Sequence, residues 1–172
     1  MSDTSTPIET APLHTAPLQW SDALFLNDAK TDLTHQEFID LYQQTGAAQG
    51  AAQLDLYVEL VAHTVEHFSQ EERWMLAAGL NAGHCHFSEH RNVLEVMKEV
   101  ERRAQQGDIH LIPNMLEALA EWFPMHATSM DAGLVAFLQT AGYDTSTETF
   151  KGPPPKIELM SPEQGCGTAG HC

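Results

Sequence analysis

Basic residues are scarce in this sequence. Lysine and arginine together number 8 against 24 aspartates and glutamates, so the formal net charge is −16 over 172 residues. A protein that binds nucleic acid needs a positive surface to meet the phosphate backbone, and an anionic membrane surface makes the same demand. The composition therefore argues against both as partners, and the acidic surface is typical of a soluble protein.

Cysteines and long apolar runs are also few. The three cysteines, Cys85, Cys166 and Cys172, do not form the framework of a disulfide-rich secreted domain. No segment approaches the roughly 18 apolar residues that span a bilayer, and the N-terminus lacks the basic start and apolar core of a secretory signal. We therefore expect a cytoplasmic protein that does not associate with membranes.

Strand signals are almost absent, whereas apolar residues recur at the three- and four-residue steps of amphipathic helices. Asp32 or Thr34 can cap the first helix. Short connections between the helices favour antiparallel neighbours, so the sequence predicts an all-α protein folded as an up-down-up-down four-helix bundle. The predicted helices cover approximately residues 32–46, 51–78, 84–106 and 113–140.

The bundle is expected to occupy residues 20–142, between two segments of different composition. Residues 1–19 are rich in Ser, Thr and Pro and predict an extended N-terminal arm. Residues 143–172 contain KGPPPK and GCGTAGHC and predict an irregular C-terminal tail. The end of this tail is compatible with a disulfide between its two cysteines, a soft-metal site that includes His171, or an unstructured terminus.

Histidines and acidic residues accompany the apolar stripe of every predicted helix. A lone histidine, or a single pair one turn apart, has ordinary structural explanations. Two residues at i and i+4 on a helix point to one side, a spacing that suits bonds to one ion or to two adjacent ions. The combination on successive helices predicts a buried metal site. Its residues are His35, then His67 with Glu71, then His86 with His90, and finally His126 with Asp131.

The last of these pairs does not fit a regular helix. At about 100° per residue, His126 and Asp131 are rotated by roughly 140° from each other, too far to share one site. A local widening of the helix or a long reach of the side chains would solve this. Pro124 also lies inside the fourth helix, where it removes a backbone hydrogen bond, and we expect a kink there.

At these positions the sequence resembles the hemerythrin and bacteriohemerythrin family. The segments that carry the resemblance are LTHQEF, HTVEHFSQEERWM, HFSEH and WFPMHATSMD, in this order between residues 20 and 140. Members of the family are non-haem di-iron proteins that bind dioxygen in a four-helix bundle. The resemblance implies a cofactor of two iron ions, joined by an oxo or hydroxo bridge, and dioxygen or a similar small ligand.

The resemblance also implies a role for each candidate ligand. His86, His90 and His126 would bind one iron, His35 and His67 the other, and Glu71 and Asp131 would bridge the two. Imidazole nitrogens and carboxylate oxygens form a donor set suited to iron. Because the histidines divide three to two, the ions are inequivalent and one of them has an open position.

Aromatic residues near the ligands are candidates for the wall of the ligand pocket. Plain core packing is the alternative explanation for them. Two further residues lie beside the predicted ligands: His63 either packs near the pocket or hydrogen-bonds a ligand, and Cys85 is expected to be a small buried or boundary residue. The predicted pocket residues are Phe38, Phe68, Trp122 and Phe123.

Reversible dioxygen binding for storage, delivery or sensing is the function that this reading favours. A redox enzyme that acts on peroxide or nitric oxide at the same centre is the alternative. A metal-free bundle is disfavoured because several buried imidazoles without a metal would be costly. A ferritin-like oxidase is disfavoured because the repeated Glu-x-x-His of that class does not occur here.

Overall fold

The computed structural model describes residues 17–153, and it confirms the predicted all-α bundle. Each of the first three helices packs against the next, and the fourth returns to contact the first. No helix within residues 17–153 is both long and apolar enough to cross a membrane. The helices are α1 (Ala29–Ala47), α2 (Gly50–Ala77), α3 (Cys85–Ala104), α4 (Leu111–His126) and α5 (Ala132–Ala141).

Helices α4 and α5 are two parts of one continuous rod. A π-helical turn, Ala127–Asp131, joins them without leaving helical backbone angles, so together they form the predicted fourth helix. Pro124 lies near the end of α4 and does not end the helix. Its carbonyl oxygen accepts a hydrogen bond from the Thr128 hydroxyl at 2.7 Å.

Helix α1 begins earlier than the sequence predicted, because Asp28 is its cap. The Asp28 carboxylate accepts from the Thr31 backbone N–H at 3.0 Å. The prediction that Asp32 or Thr34 caps α1 is therefore wrong. Asp32 is buried and instead accepts from the backbone N–H groups of Leu26 and Asp28 at 2.8 and 3.1 Å. It thus holds the chain that enters the helix, a role that a local cap pattern does not reveal.

The apolar core consists of two clusters separated along the bundle axis by a polar layer. On α2 the polar layer is formed by His67 and Glu71, with Tyr57 to Val61 on one side and Trp74 to Ala78 on the other. The larger cluster includes Phe38, Ile39, Tyr57, Leu60, Met97, Ile112, Leu119 and Phe123. The smaller cluster contains Trp74, Met75, Ala78, Phe87, Leu134, Leu138 and Tyr143.

Three large apolar residues of the helices are exposed, although they lie at the three- and four-residue steps of the apolar pattern. Leu33 is 52% exposed, Leu76 56% and Phe137 36%. A helix in a bundle buries only one stripe of its circumference. Where apolar residues occupy neighbouring positions around the helix, the periodicity alone does not decide which of them faces the core.

The first part of the predicted irregular tail forms a short hairpin. Strand β1 (Tyr143–Asp144) pairs antiparallel with β2 (Thr149–Phe150). The Thr145 hydroxyl donates to the Asp28 carboxylate at 2.6 Å, and Trp74 Nε1 donates to Glu148 at 3.4 Å. The hairpin is therefore attached to α1 and α2. The predictions for residues 1–16 and for Cys166, His171 and Cys172 lie outside the described residues.

Replacing Asp28 with alanine should destabilise the fold. The Asp28→Ala variant loses the α1 cap and the acceptor of the Thr145 hydroxyl, and loss of such a cap costs about 1 kcal/mol, with a range of about 0.5–2. We expect a lower urea midpoint with an unchanged m-value. Asp40→Ala removes the same charge from an exposed position of α1 and should leave the midpoint in place. Equal midpoints for the two variants would contradict the assignment of the cap.

Candidate metal centre

The seven predicted ligands all lie in the polar layer at the middle of the bundle. Helix α1 supplies one of them and α2 and α3 two each; of the last two, one ends α4 and the other ends the π turn. Each is at most 4% exposed, although none is an apolar residue. These residues are His35, His67, Glu71, His86, His90, His126 and Asp131.

The seven side chains form two groups that share their carboxylates. Within each group, one donor atom from every residue lies within 4.8 Å of the others, a spacing that can hold a metal ion. Glu71 and Asp131 belong to both groups, whereas no histidine does. The histidines alone distinguish the groups: His86, His90 and His126 in the three-histidine group, His35 and His67 in the two-histidine group.

Asp131 presents one oxygen atom to each group. Its Oδ1 lies 3.0 Å from His86 Nε2 and 3.1 Å from His126 Nε2. Its Oδ2 lies 3.1 Å from His35 Nε2. This is the arrangement of a carboxylate that bridges two neighbouring sites.

Glu71 repeats this arrangement on the opposite helix. Its Oε2 is 3.2 Å from His90 Nε2 and 3.6 Å from His86 Nε2, and both histidines belong to the three-histidine group. Its Oε1 is 3.4 Å from His67 Nε2, in the two-histidine group. The Nε2 atoms of all five histidines therefore face the centre.

Most of these buried polar atoms have no hydrogen-bond partner, although they lie close together. Both oxygens of Glu71 and of Asp131 lack one, as do Nε2 of His35, His67 and His90. Buried polar atoms normally find a partner, and each exception needs an explanation. Lone pairs of carboxylates and neutral imidazoles that converge on shared points are satisfied by cations. The residues present thus fit a metal-binding cluster, on the chemistry of the donor set.

The two carboxyl groups remain ionised although they are buried. Burial and the Asp131 carboxylate both raise the pKa of Glu71, but the imidazoles of His67 and His90 outweigh them and lower it to about 2. Burial also raises the pKa of Asp131, and the surrounding imidazoles, His126 foremost, hold it well below its usual value. Two negative charges therefore lie in the centre of the bundle at neutral pH, where a cation would be stabilised.

The π turn explains how residues five apart can share this site. It adds one residue to the helical turn between His126 and Asp131, so both side chains reach the same centre, with His126 Nε2 and Asp131 Oδ1 3.1 Å apart. The hypothesis of a local widening of the helix is confirmed, and a long reach of the side chains is not required.

The four predicted pocket aromatics separate into two pairs on different sides of the cluster. Phe123 meets the ring of His35 edge-on at 5.2 Å, and Phe38 stacks on Phe123 at 4.5 Å. The second pair covers the three-histidine group. In it, Phe68 stacks on His90 at 3.8 Å and Trp122 on His126 at 4.4 Å.

Two glutamates that the sequence analysis did not select lie next to this second pair. Trp122 Nε1 donates to Glu89 at 2.7 Å, which fixes the indole that covers His126. Glu72 lies 3.5 Å from His90 Nδ1. Glu72 directly follows a predicted ligand, and Glu89 directly precedes one. Such adjacency is the only signal that the sequence carries for them.

Two further histidines and one cysteine lie near the site without belonging to either histidine group. His63 Nε2 lies 3.1 Å from the Thr34 carbonyl oxygen and therefore carries the hydrogen. Its ring centroid is 6.5 Å from that of His67, so it neighbours the cluster without joining it. His84 caps α3 by accepting from the His86 N–H at 3.3 Å. Cys85 is half-buried, at the core boundary as expected.

Fold and site together define a helical-bundle protein with a buried His/Glu/Asp metal-binding cluster. The chain belongs to the hemerythrin family, because the Hemerythrin HHE cation binding domain matches residues 28–138. It is 40% identical over 131 residues to a bacteriohemerythrin of Ralstonia nicotianae, which covers 76% of this chain and 96% of that protein.

More distant relatives carry the same name. Bacteriohemerythrins of Pseudomonas aeruginosa are 28% identical over 124 residues, which is 70% of this chain and 80% of theirs. No solved structure shows significant similarity to the chain. The family membership therefore rests on the sequence motifs and on the two agreeing comparisons with curated families and proteins.

Deleting Thr128 from the π turn should preserve metal binding. The deletion reduces the separation of His126 and Asp131 to four residues, which a regular α-helix places on one face. We expect the metal content of the purified variant, measured by mass spectrometry, to match the wild type. Deleting the exposed Glu121 instead rotates the core-facing residues of α4 by about 100° against the ligands and should abolish binding. Loss of metal in both variants would contradict this account of the π turn.

Removing the metal should destabilise the protein, because the buried carboxylates then lack a cation. A metal present at about 1,000 times its dissociation constant stabilises by about 4 kcal/mol, roughly 10 °C in melting temperature for a domain of this size. Calorimetry before and after chelation measures the shift. Glu71→Gln should lose it, whereas Glu66→Gln, an exposed change on the same helix, should keep it. A shift that survives in Glu71→Gln would exclude this carboxylate as a ligand.

Proposed function

We propose that this protein binds two iron ions and uses them to bind dioxygen reversibly, for storage, delivery or sensing. One observation carries the proposal: Glu71 and Asp131 each direct one oxygen to the three-histidine group and the other to the two-histidine group. Carboxylates placed in this way would hold two metal ions. Family membership supports iron as the metal and dioxygen as the ligand.

The unequal division of the histidines supports a ligand position at one of the two ions. With both carboxylates shared, the three-histidine group offers five protein donors and the two-histidine group four. The ion held by His35 and His67 therefore has the less complete set and would accept the small ligand. Bound iron would supply the redox chemistry, and the chain supplies the unequal number of histidines that distinguishes the two ion positions.

The aromatic residues next to His35 support reversible binding, because they exclude water. Phe38 and Phe123 are each 1% exposed and stack on each other beside the imidazole. Exclusion of water and of external electron donors protects an oxidisable centre from irreversible reaction. The bulk of two phenylalanines also restricts this side to small ligands.

The other aromatic pair orients ligands. Phe68 lies nearly parallel to the His90 ring, at 4°, and Trp122 lies at 22° to the ring of His126. Stacking fixes the rotation of each imidazole so that Nε2 faces the cluster. These two residues therefore position ligands of the three-histidine group, while Phe38 and Phe123 line the side where we place the small ligand.

Redox catalysis on peroxide is the second candidate, and one observation favours it. A cavity of about 440 Å³ touches His67, and its lining includes the ionisable residues His63, Glu66 and Arg73. Peroxide reduction consumes protons, and a polar cavity next to the two-histidine group offers a way to supply them. Dioxygen binding needs no such supply, so the two functions make different demands on this cavity.

Visible spectroscopy of the iron-loaded protein tests the proposed function. The reduced protein should gain a charge-transfer band in air and lose it again under argon, over repeated cycles. His86→Ala should abolish the band, because it removes a donor of the three-histidine group, whereas His110→Ala, an exposed change, should retain it.

The same samples separate the two candidates. A band that fails to reverse under argon, together with catalytic turnover of added hydrogen peroxide, would support the enzyme and refute the carrier. If the protein takes up no iron at all, both candidates fail.

A further inference from the structure

A second cavity reaches the metal-binding cluster from the side of the three-histidine group. It has a volume of about 450 Å³ and lies between the end of α2, the start of α3 and the segment from the π turn into α5. Its apolar lining is formed by Met75, Leu80, Met130, Leu134 and Phe137. None of these residues belongs to the cluster or to the predicted ligand pocket.

His86 forms part of the wall of this apolar cavity. The imidazole is 2% exposed, and its Nε2 is 3.0 Å from Asp131 Oδ1. A molecule in the cavity would therefore contact the imidazole of His86. This ring belongs to the cluster and lies directly beside the shared carboxylate of Asp131.

The chemistry of the lining selects uncharged molecules. Among residues 17–153, no aspartate, glutamate, lysine or arginine lines the apolar cavity, although the chain carries 24 acidic residues; its polar lining residues are the two histidines His84 and His86, with Cys85 and Ser129. The cavity beside His67 differs sharply, since Lys30, Glu66 and Arg73 all contribute to it. Carboxylate, ammonium and guanidinium partners for a charged solute therefore lie at the cavity beside His67 and not at the apolar cavity.

A glycine of helix α5 forms part of the lining of the apolar cavity. Gly133 lines the cavity, and a Cβ atom built on it meets no atom within 4 Å. Its backbone is helical, so the position does not require glycine for conformational reasons. Glycine lowers helix stability relative to alanine. Gly133 is exposed, so it lies where the cavity meets solvent, and a larger side chain at this position has room to extend across the opening.

We propose that this cavity is a binding site for small, uncharged, apolar molecules, which contact His86. Enclosed apolar cavities of about 150 Å³ in proteins take up xenon or benzene, and this cavity, which opens to solvent at His84, Ser129 and Gly133, has room for the same molecules. Non-polar gases and small hydrocarbon rings share the required chemistry. The proposal does not depend on iron or on dioxygen binding, because the protein side chains alone form the site.

Xenon is the probe for this site, measured by ¹²⁹Xe NMR titration and located in xenon-pressurised crystals of the full-length protein. The wild type should show saturable binding, with xenon next to Met75 and Leu134, and the NMR signals of the His86 ring should shift. In Gly133→Leu, whose side chain would extend across the opening of the cavity, we expect the apparent affinity to fall at least about tenfold. A benzene titration then distinguishes a site for gases only from one that also takes small rings.

Ala136→Leu is the matched control, because it adds the same side chain at an exposed position of α5 outside the cavity. It should bind xenon as the wild type does. Circular dichroism checks that both variants keep their helical content. Gly133→Ala, which leaves part of the space open and favours the helix, provides a second test if the leucine variant does not fold. Xenon affinity unchanged in Gly133→Leu, or xenon absent from the cavity in the crystals, would overturn the proposal.

Discussion

The structure depends on two ionised carboxylates that are buried in the middle of a helical bundle and shared between two groups of imidazoles. A buried charge costs several kcal/mol unless it is paired and its lone pairs are satisfied. Here Glu71 and Asp131 have imidazole nitrogens around them at 3.0–3.6 Å but no hydrogen bonds. Cations satisfy such an arrangement, and the bundle is built so that four helical segments deliver donors to one layer. The apolar clusters on either side of that layer hold the helices in register.

The least regular part of the helical framework lies at this layer. A π turn is rare and is frequently found at functional sites, and this one directly separates two residues of the cluster, His126 and Asp131. Pro124, one turn upstream of Thr128, lacks the N–H that a regular helix would use. The hydroxyl of Thr128 donates to the Pro124 carbonyl, which partly compensates for the altered backbone pattern. Local irregularity in the helix is thus what allows Asp131 to serve both histidine groups.

The surroundings of the cluster differ from side to side. Phe38 and Phe123 cover His35, a polar cavity meets His67, and an apolar cavity meets His86. The centre is therefore bordered by aromatic rings on one side, by charged and polar residues on another, and by mainly apolar residues on a third. A metal site in a uniform apolar core could not discriminate in this way, because every approach to it would have the same polarity.

The sequence by itself determined the four helices and the pairs one turn apart, such as His86 with His90, because helical periodicity and i, i+4 spacing are local properties of the chain. The family resemblance supplied the division of the histidines, and local geometry alone would not have selected Asp131. Only the tertiary structure decided which aromatic residues cover which histidine, and that part of the tail folds back onto the bundle. Those features join residues far apart in the chain, as in the contact of Thr145 with Asp28. Packing between distant segments of the chain creates these features, and no repeating pattern within a single segment encodes that packing.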